Sequence, residues 1–150
     1  IPDELITKIQ NQGTFNQGFM TTELLAAALL DMELHNLTDT ENLNVVAFEK
    51  ETMDKLGLIP EIAPRYRATY FSHIIGGYAA GYYSYLWAEV LDTDAFEAFK
   101  EHGVFDKNTA DSFRKNILEK GGTEDPMTLY RGFRGADPSL EPLLKNRGLK

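Results

Sequence analysis

MTTELLAAALLDMELHNL, Met20 to Leu37, is the stretch that decides the fold class. Leu24, Leu25, Ala28, Leu29 and Met32 recur at helical spacing, His35 extends the same broad face, and the alanines favour close helix packing. The period is that of a helix and not of a strand. His35 falls at the C-terminal end, where interaction with the helix dipole explains it without a further role. Asn36-Leu37-Thr38 matches a glycosylation sequon, which carries weight only in a secreted protein.

The flanking segments read the same way. Pro2-Asp3-Glu4 opens a short helix through Leu5, Ile6 and Ile9 to about Gln12, and Gly13 ends it. The cap-like run Thr38 to Glu41 leads to a helix from about Val45 to Leu56, closed by Gly57. Pro60 and Pro64 bracket an irregular passage. Further on, Asp92 or Thr93 caps a helix that stops at Gly103, and Asp106 starts another through Phe113, Ile117 and Leu118 to Gly121-Gly122. Asp125-Pro126 and Asp137-Pro138 are two N-cap and first-turn proline signals, the second for a last helix ending at Arg147-Gly148. Alternating strands are absent, so the expectation is an all-α, multi-helix architecture.

At 150 residues the chain is one ordinary domain's worth of sequence. With 23 acidic against 15 basic residues and a net charge of −8, it suits neither nucleic acid nor an anionic membrane as a partner. Cysteine is absent, which removes disulfides and thiolate metal ligands and fits a reducing compartment. The cytoplasm is the expected location and the periplasm the alternative. No apolar run approaches the roughly 18 residues of a membrane span. The first residue is Ile1 and not methionine, so the sequence is read as processed or cut from something longer.

Chemistry concentrates between Arg65 and Glu89, RYRATYFSHIIGGYAAGYYSYLWAE, which holds six of the seven tyrosines, the only tryptophan, His73 and the pair Gly76-Gly77. If the chain turns helical after those glycines, Tyr78, Tyr82 and Tyr85 line one face at i, i+4 and i+7 while Tyr83 faces elsewhere. A neutral phenol can donate to a developing oxyanion, and phenols beside an imidazole suit acyl-transfer chemistry. By residue content alone the stripe reads first as a packed aromatic face with satisfied hydroxyls. Arg65 and Arg67 are read equally as carboxylate binders and as ordinary ion-pair partners. There is no HExxH, CxxC pair, GxSxG or Walker-type loop, and His35, His73 and His102 stand far apart, so no metal ligand set is expected in this chain.

The run FSHIIGGYAAGYYSYLWAEVLDTDAFEAF closely resembles the C-terminal segment of the thimet-oligopeptidase family of zinc metallopeptidases, most closely its bacterial peptidyl-dipeptidase (Dcp) branch. The likeness extends through IPDELI, MTTELLAAALLDMELH, LEKGGTEDPMTLYRGFRG and the terminal NRGL. The resemblance implies the C-terminal helical subdomain of a zincin-like oligopeptidase that hydrolyses short peptides. Zinc would belong to the intact enzyme, held by an HExxH segment expected before Ile1, and that upstream part would be this chain's partner. It also implies that Tyr85 stabilises the tetrahedral intermediate and that His73 and Tyr78 hydrogen-bond substrate near the scissile bond. Tyr82 is similar to a weaker contact, and Gly76 and Gly77 resemble the loop that lies over the peptide. The alternative class is a helical binding module without chemistry, whose tyrosine face takes a peptide or a partner helix.

Overall fold

The computed structural model describes residues 1–150, and it is helical throughout with no strand. It divides into two compact units, Ile1–Leu86 and Trp87–Lys150.

In the first unit, α1 (Asp3–Thr14) carries Asp3 and Glu4 in its first turn, where their charge complements the helix dipole. None of its residues is buried, so Leu5 and Ile6 remain open to solvent. Asn16, in the left-handed conformation with φ 59°, turns the chain into α2 (Gln17–His35). α2 starts three residues before the expected Met20 and ends at the expected His35.

The face that α2 buries overlaps only in part with the one its periodicity suggested: Ala28 is buried and Leu24 packs against the core as expected. Ala27, Leu30 and Asp31 are buried and Leu34 packs against the core, whereas Leu25, Leu29 and Met32 are exposed. A helix this apolar on all sides offers two candidate faces. The choice falls to the alanine side because it admits the bulky rings of Phe71 and Tyr82, which with Ala27, Ala28 and Ile74 form the core of this unit.

α3 (Val45–Lys55) is capped by Asn44, whose side chain accepts from the Ala47 N–H at 3.0 Å, and it packs against α2. The cap lies beyond the Thr38 to Glu41 run that the sequence suggested. Glu49 on α3 is buried. It accepts from the Ala68 N–H at 2.7 Å and pairs with the Arg67 guanidinium, fixing the start of a 3-10 turn at Ala68–Tyr70. A second 3-10 turn, Ser72–Ile75, follows.

α4 spans Ser84–His102, and its residues from Trp87 onward belong to the second unit. Asp92 and Thr93 do not cap a separate helix. They lie inside α4, and the Thr93 hydroxyl donates to the Glu89 carbonyl at 2.6 Å, the mid-helix arrangement that satisfies a threonine without ending the helix. α5 (Lys107–Phe113) starts at Asp106 as expected, then loosens into a π turn at Arg114–Leu118. α6 (Pro126–Arg134) is capped by Asp125 with proline in its first turn and ends at Gly135, φ 79°.

The last helix, α7 (Glu141–Asn146), begins later than Asp137-Pro138 predicted. The Asp137 carboxylate is taken by Arg131 at 2.6 Å, and the Ser139 hydroxyl accepts the Glu141 N–H instead. Phe99, Phe113 and Phe133 form the aromatic centre of this unit, with ring centroids 5.1 to 6.2 Å apart. Beside it Asp94, buried on α4, accepts from the Tyr130 hydroxyl at 2.5 Å and lies 3.5 Å from the Arg134 guanidinium.

Candidate active-site face around His73

The glycine and tyrosine run does not become helical where the sequence suggested. From Gly76 to Tyr83 the backbone is a succession of turns closed by three-residue hydrogen bonds, including Ala79 to Gly76 and Gly81 to Tyr78, and the α-helix starts only at Ser84. Gly76 takes φ −135° and ψ −133°, and Ala80 enters the left-handed region at φ 51°. Both break the regular φ/ψ of a helix.

The rings nevertheless converge. Tyr78 stacks on Tyr85 with centroids 5.1 Å apart, and Tyr82 meets Tyr85 edge to face at 5.2 Å. His73, on the second 3-10 turn, lies 5.4 Å from Tyr82, 6.0 Å from Tyr78 and 6.3 Å from Tyr85, centroid to centroid. Tyr66, not among the residues singled out above, also packs on the imidazole, with ring centroids 4.8 Å apart.

These side chains differ in what they present. Tyr82 is 3% exposed and sits in the core, whereas Tyr78 and Tyr85 are 42% and 40% exposed. Tyr82 is therefore the floor of the cluster and the other two phenols its open surface. Tyr83 is 53% exposed and makes no ring contact with the group, so it does point elsewhere.

The Nδ1 atom of His73 is buried without a hydrogen-bond partner. An orphan lone pair is cheaper to bury than an orphan N–H, which favours the neutral tautomer with its proton on Nε2. The Tyr85 phenol is held above its ordinary pKa, first by hydrogen bonding with the Tyr78 hydroxyl, then by burial and by the neighbouring phenols. Burial raises Tyr82 as well, with the Arg65 charge opposing it. Both are neutral donors at pH 7.

Gly76 and Gly77 have open space where a Cβ would stand, and neither needs a positive φ. No neighbouring atom crowds a Cβ at either position, while Gly76 at φ −135°, ψ −133° lies outside the ordinary β and α regions. Arg65 lies over the Tyr66 ring at 5.9 Å and Arg67 pairs with Glu49, so both have a structural occupation.

Two carboxylates that the sequence reading passed over hold this region. Asp31 reaches the loop from α2, and Glu49 reaches the first 3-10 turn from α3. The legible signal was an acid embedded in an apolar helical run, LLAAALLDMELH, which must be either solvated or paired. The other histidines serve helix ends: His35 Nδ1 lies 2.9 Å from the Asp31 carbonyl, and His102 Nδ1 lies 2.9 Å from that of Ala98. No three histidine, aspartate or glutamate side chains gather as a metal ligand set, and no helix is long and apolar enough to cross a membrane. What these residues can do chemically is bind and donate hydrogen bonds.

Comparison with known proteins gives this face a context. The chain is 45% identical to the dipeptidyl carboxypeptidase of Escherichia coli over 99% of its own length, and 41% identical to that of Salmonella typhimurium. It is 38% identical to oligopeptidase A of Escherichia coli over its full length. In each case it spans about a fifth of the relative, 22% of its length. The family model of Peptidase family M3 matches residues 1–149, and the chain belongs to that family.

Proposed function

We propose that this chain supplies the substrate-binding and oxyanion-stabilising side of the active site in an intact zinc peptidyl-dipeptidase, which releases dipeptides from the C-termini of short peptides. The observation that carries the reading is the convergence of two half-exposed phenols, Tyr78 and Tyr85, on the imidazole of His73, beside a loop whose Gly76 and Gly77 have open space around them.

Amide hydrolysis places negative charge on the former carbonyl oxygen. A neutral donor poised at that position is worth more as the charge develops than in the ground state. Tyr85 is assigned that donation and exchanges its hydrogen bond with Tyr78 for one to the oxyanion. His73 donates from Nε2 to a substrate carbonyl, and Tyr78 offers the second phenol. Tyr82 supports the Tyr85 and His73 rings from below, and Gly76-Gly77 admit the peptide backbone. By the resemblance to zinc oligopeptidases, the metal of such a peptidase would be held by an HExxH segment, a motif this sequence does not contain. Dipeptide release is favoured over internal cleavage because the relatives at 45% and 41% identity are dipeptidyl carboxypeptidases.

The test is made in the intact peptidase. Tyr85→Phe keeps the ring and its stacking but removes the donor, so kcat is expected to fall about 10²–10³-fold with little change in KM. Tyr83→Phe, away from the cluster, is expected to match wild type. Full kcat in Tyr85→Phe with unchanged metal content would return the cluster to a packed aromatic face.

A further inference from the structure

We propose that Asp31 is the positioning residue of the tyrosine loop, a carboxylate clamp delivered from α2 that sets where Tyr82, and through it Tyr78 and Tyr85, are held. Its side chain is 0% exposed, and its two oxygens are divided between two turns of the loop. Oδ1 accepts the Ala80 N–H and Oδ2 the Tyr82 N–H, each at 2.9 Å, across some fifty residues of sequence. His35, one turn along α2, adds its Nδ1 at 2.8 Å from Oδ1.

A carboxylate removed from water is tolerated only when its lone pairs are filled, and here the donors are mostly the loop's own backbone. The dependence runs both ways. Ala80 sits at φ 51°, a conformation an alanine seldom adopts unless its surroundings impose it, and its N–H is one of the two that Asp31 holds. The segment Gly76–Tyr83 is otherwise closed only by short-range turns. Asp31 is thus its long-range polar tie to the rest of the unit, and Tyr82 carries that tie to the rings, lying 5.2 Å from Tyr85 and 5.4 Å from His73. Asp31 acts on the hydrogen bonds of the loop and not on substrate. The loop-positioning part rests on geometry alone, and its consequence for turnover rests on the function proposed above.

Asp31→Asn tests it with minimal change of shape, since an amide can accept one of the two N–H groups but not both. In the 150-residue chain, helical circular dichroism is expected to be unchanged, while amide hydrogen exchange at Ala80 or Tyr82, whichever loses its acceptor, accelerates at least about tenfold relative to amides of α2. Asp31→Ala, which removes both acceptors, should do the same more strongly, and if it fails to fold the Asn variant still decides. In the intact peptidase, Asp31→Asn is expected to lower kcat at least about tenfold with KM within about threefold, at unchanged metal content. Exchange at Ala80 and Tyr82 equal to wild type in Asp31→Asn overturns the clamp. Fast exchange together with full kcat in Asp31→Asn overturns its role in turnover. The clamp stands and the catalytic reading alone fails if exchange is fast but Tyr85→Phe keeps full activity.

Discussion

At the scale of single residues, the cluster around His73 works through neutral hydrogen-bond donors. Phenols raised above their ordinary pKa, as at Tyr85 and Tyr82, stay protonated across the physiological range, so donation does not switch on or off near neutrality. Gly77 offers a separate test. A Cβ added there meets no atom within 4 Å in the chain itself. Gly77→Val is therefore expected to leave folding close to wild type but to lower turnover of the intact peptidase more than Tyr85→Phe does, because the branched side chain blocks approach of the peptide. Unfolding curves and steady-state kinetics on the same preparation separate the two effects. In the second unit, Tyr130 donates to buried Asp94, and burial first, then this bond, push its phenol well above the usual range. Tyr130→Phe leaves a buried carboxylate with only the more distant Arg134, and is expected to cost about 2 kcal/mol in denaturant unfolding.

At the scale of elements, helix starts are the most locally encoded features of this chain and give a pH-dependent prediction. Asp106 caps α5 by accepting the Thr109 N–H at 2.7 Å, and that bond holds its carboxyl below the ordinary value of 3.8. A depressed folded-state pKa contributes stability that is present above the unfolded value and lost as pH falls through the lower folded one. Protection of the Thr109 amide is therefore expected to be full at neutral pH and to decline on acidification below about pH 4. In Asp106→Asn, whose amide oxygen still accepts but does not titrate, the decline should disappear. Exchange measured on both proteins between neutral and acid pH checks this. The opposite case is the glycine and tyrosine segment, where no local signal sets the geometry and the constraint arrives from Asp31 on another element.

At the scale of the whole molecule, apolar surface is the dominant feature. The first unit leaves Leu25, Leu29 and Met32 of α2 open, along with Ile6 and Ile9 of α1. The second carries an apolar groove of about 700 Å³ lined by Trp87, Leu91, Phe96, Phe99, Phe113 and Phe133. Large exposed apolar patches are uncommon on monomers and mark surfaces that associate. The isolated chain is expected to bind a hydrophobic dye and to self-associate with rising concentration. A strictly monomeric sedimentation profile without dye binding would contradict this. Because the sequence holds no HExxH motif, the isolated chain is also expected to retain no stoichiometric zinc after dialysis and to turn over no peptide, checked by elemental analysis and a short-peptide assay.

The sequence by itself determined the all-α class, the caps at Asp106 and Asp125, and the stretch in which the aromatic chemistry lies. Helical period, N-cap oxygens and first-turn prolines act within a few residues, so they can be read without a fold. It also located His73 and the tyrosines, because their density is a property of composition. Only the tertiary structure decided which side of α2 is buried, since an all-round apolar helix encodes no preference until rings such as Phe71 and Tyr82 choose the alanine side. It alone decided that Tyr78, Tyr82 and Tyr85 meet across turns and not along a helix, and that Asp31 and Glu49 hold the chain that carries them. Those bonds join residues far apart in sequence, and a carboxylate's partner is fixed by what folding brings within 3 Å of it.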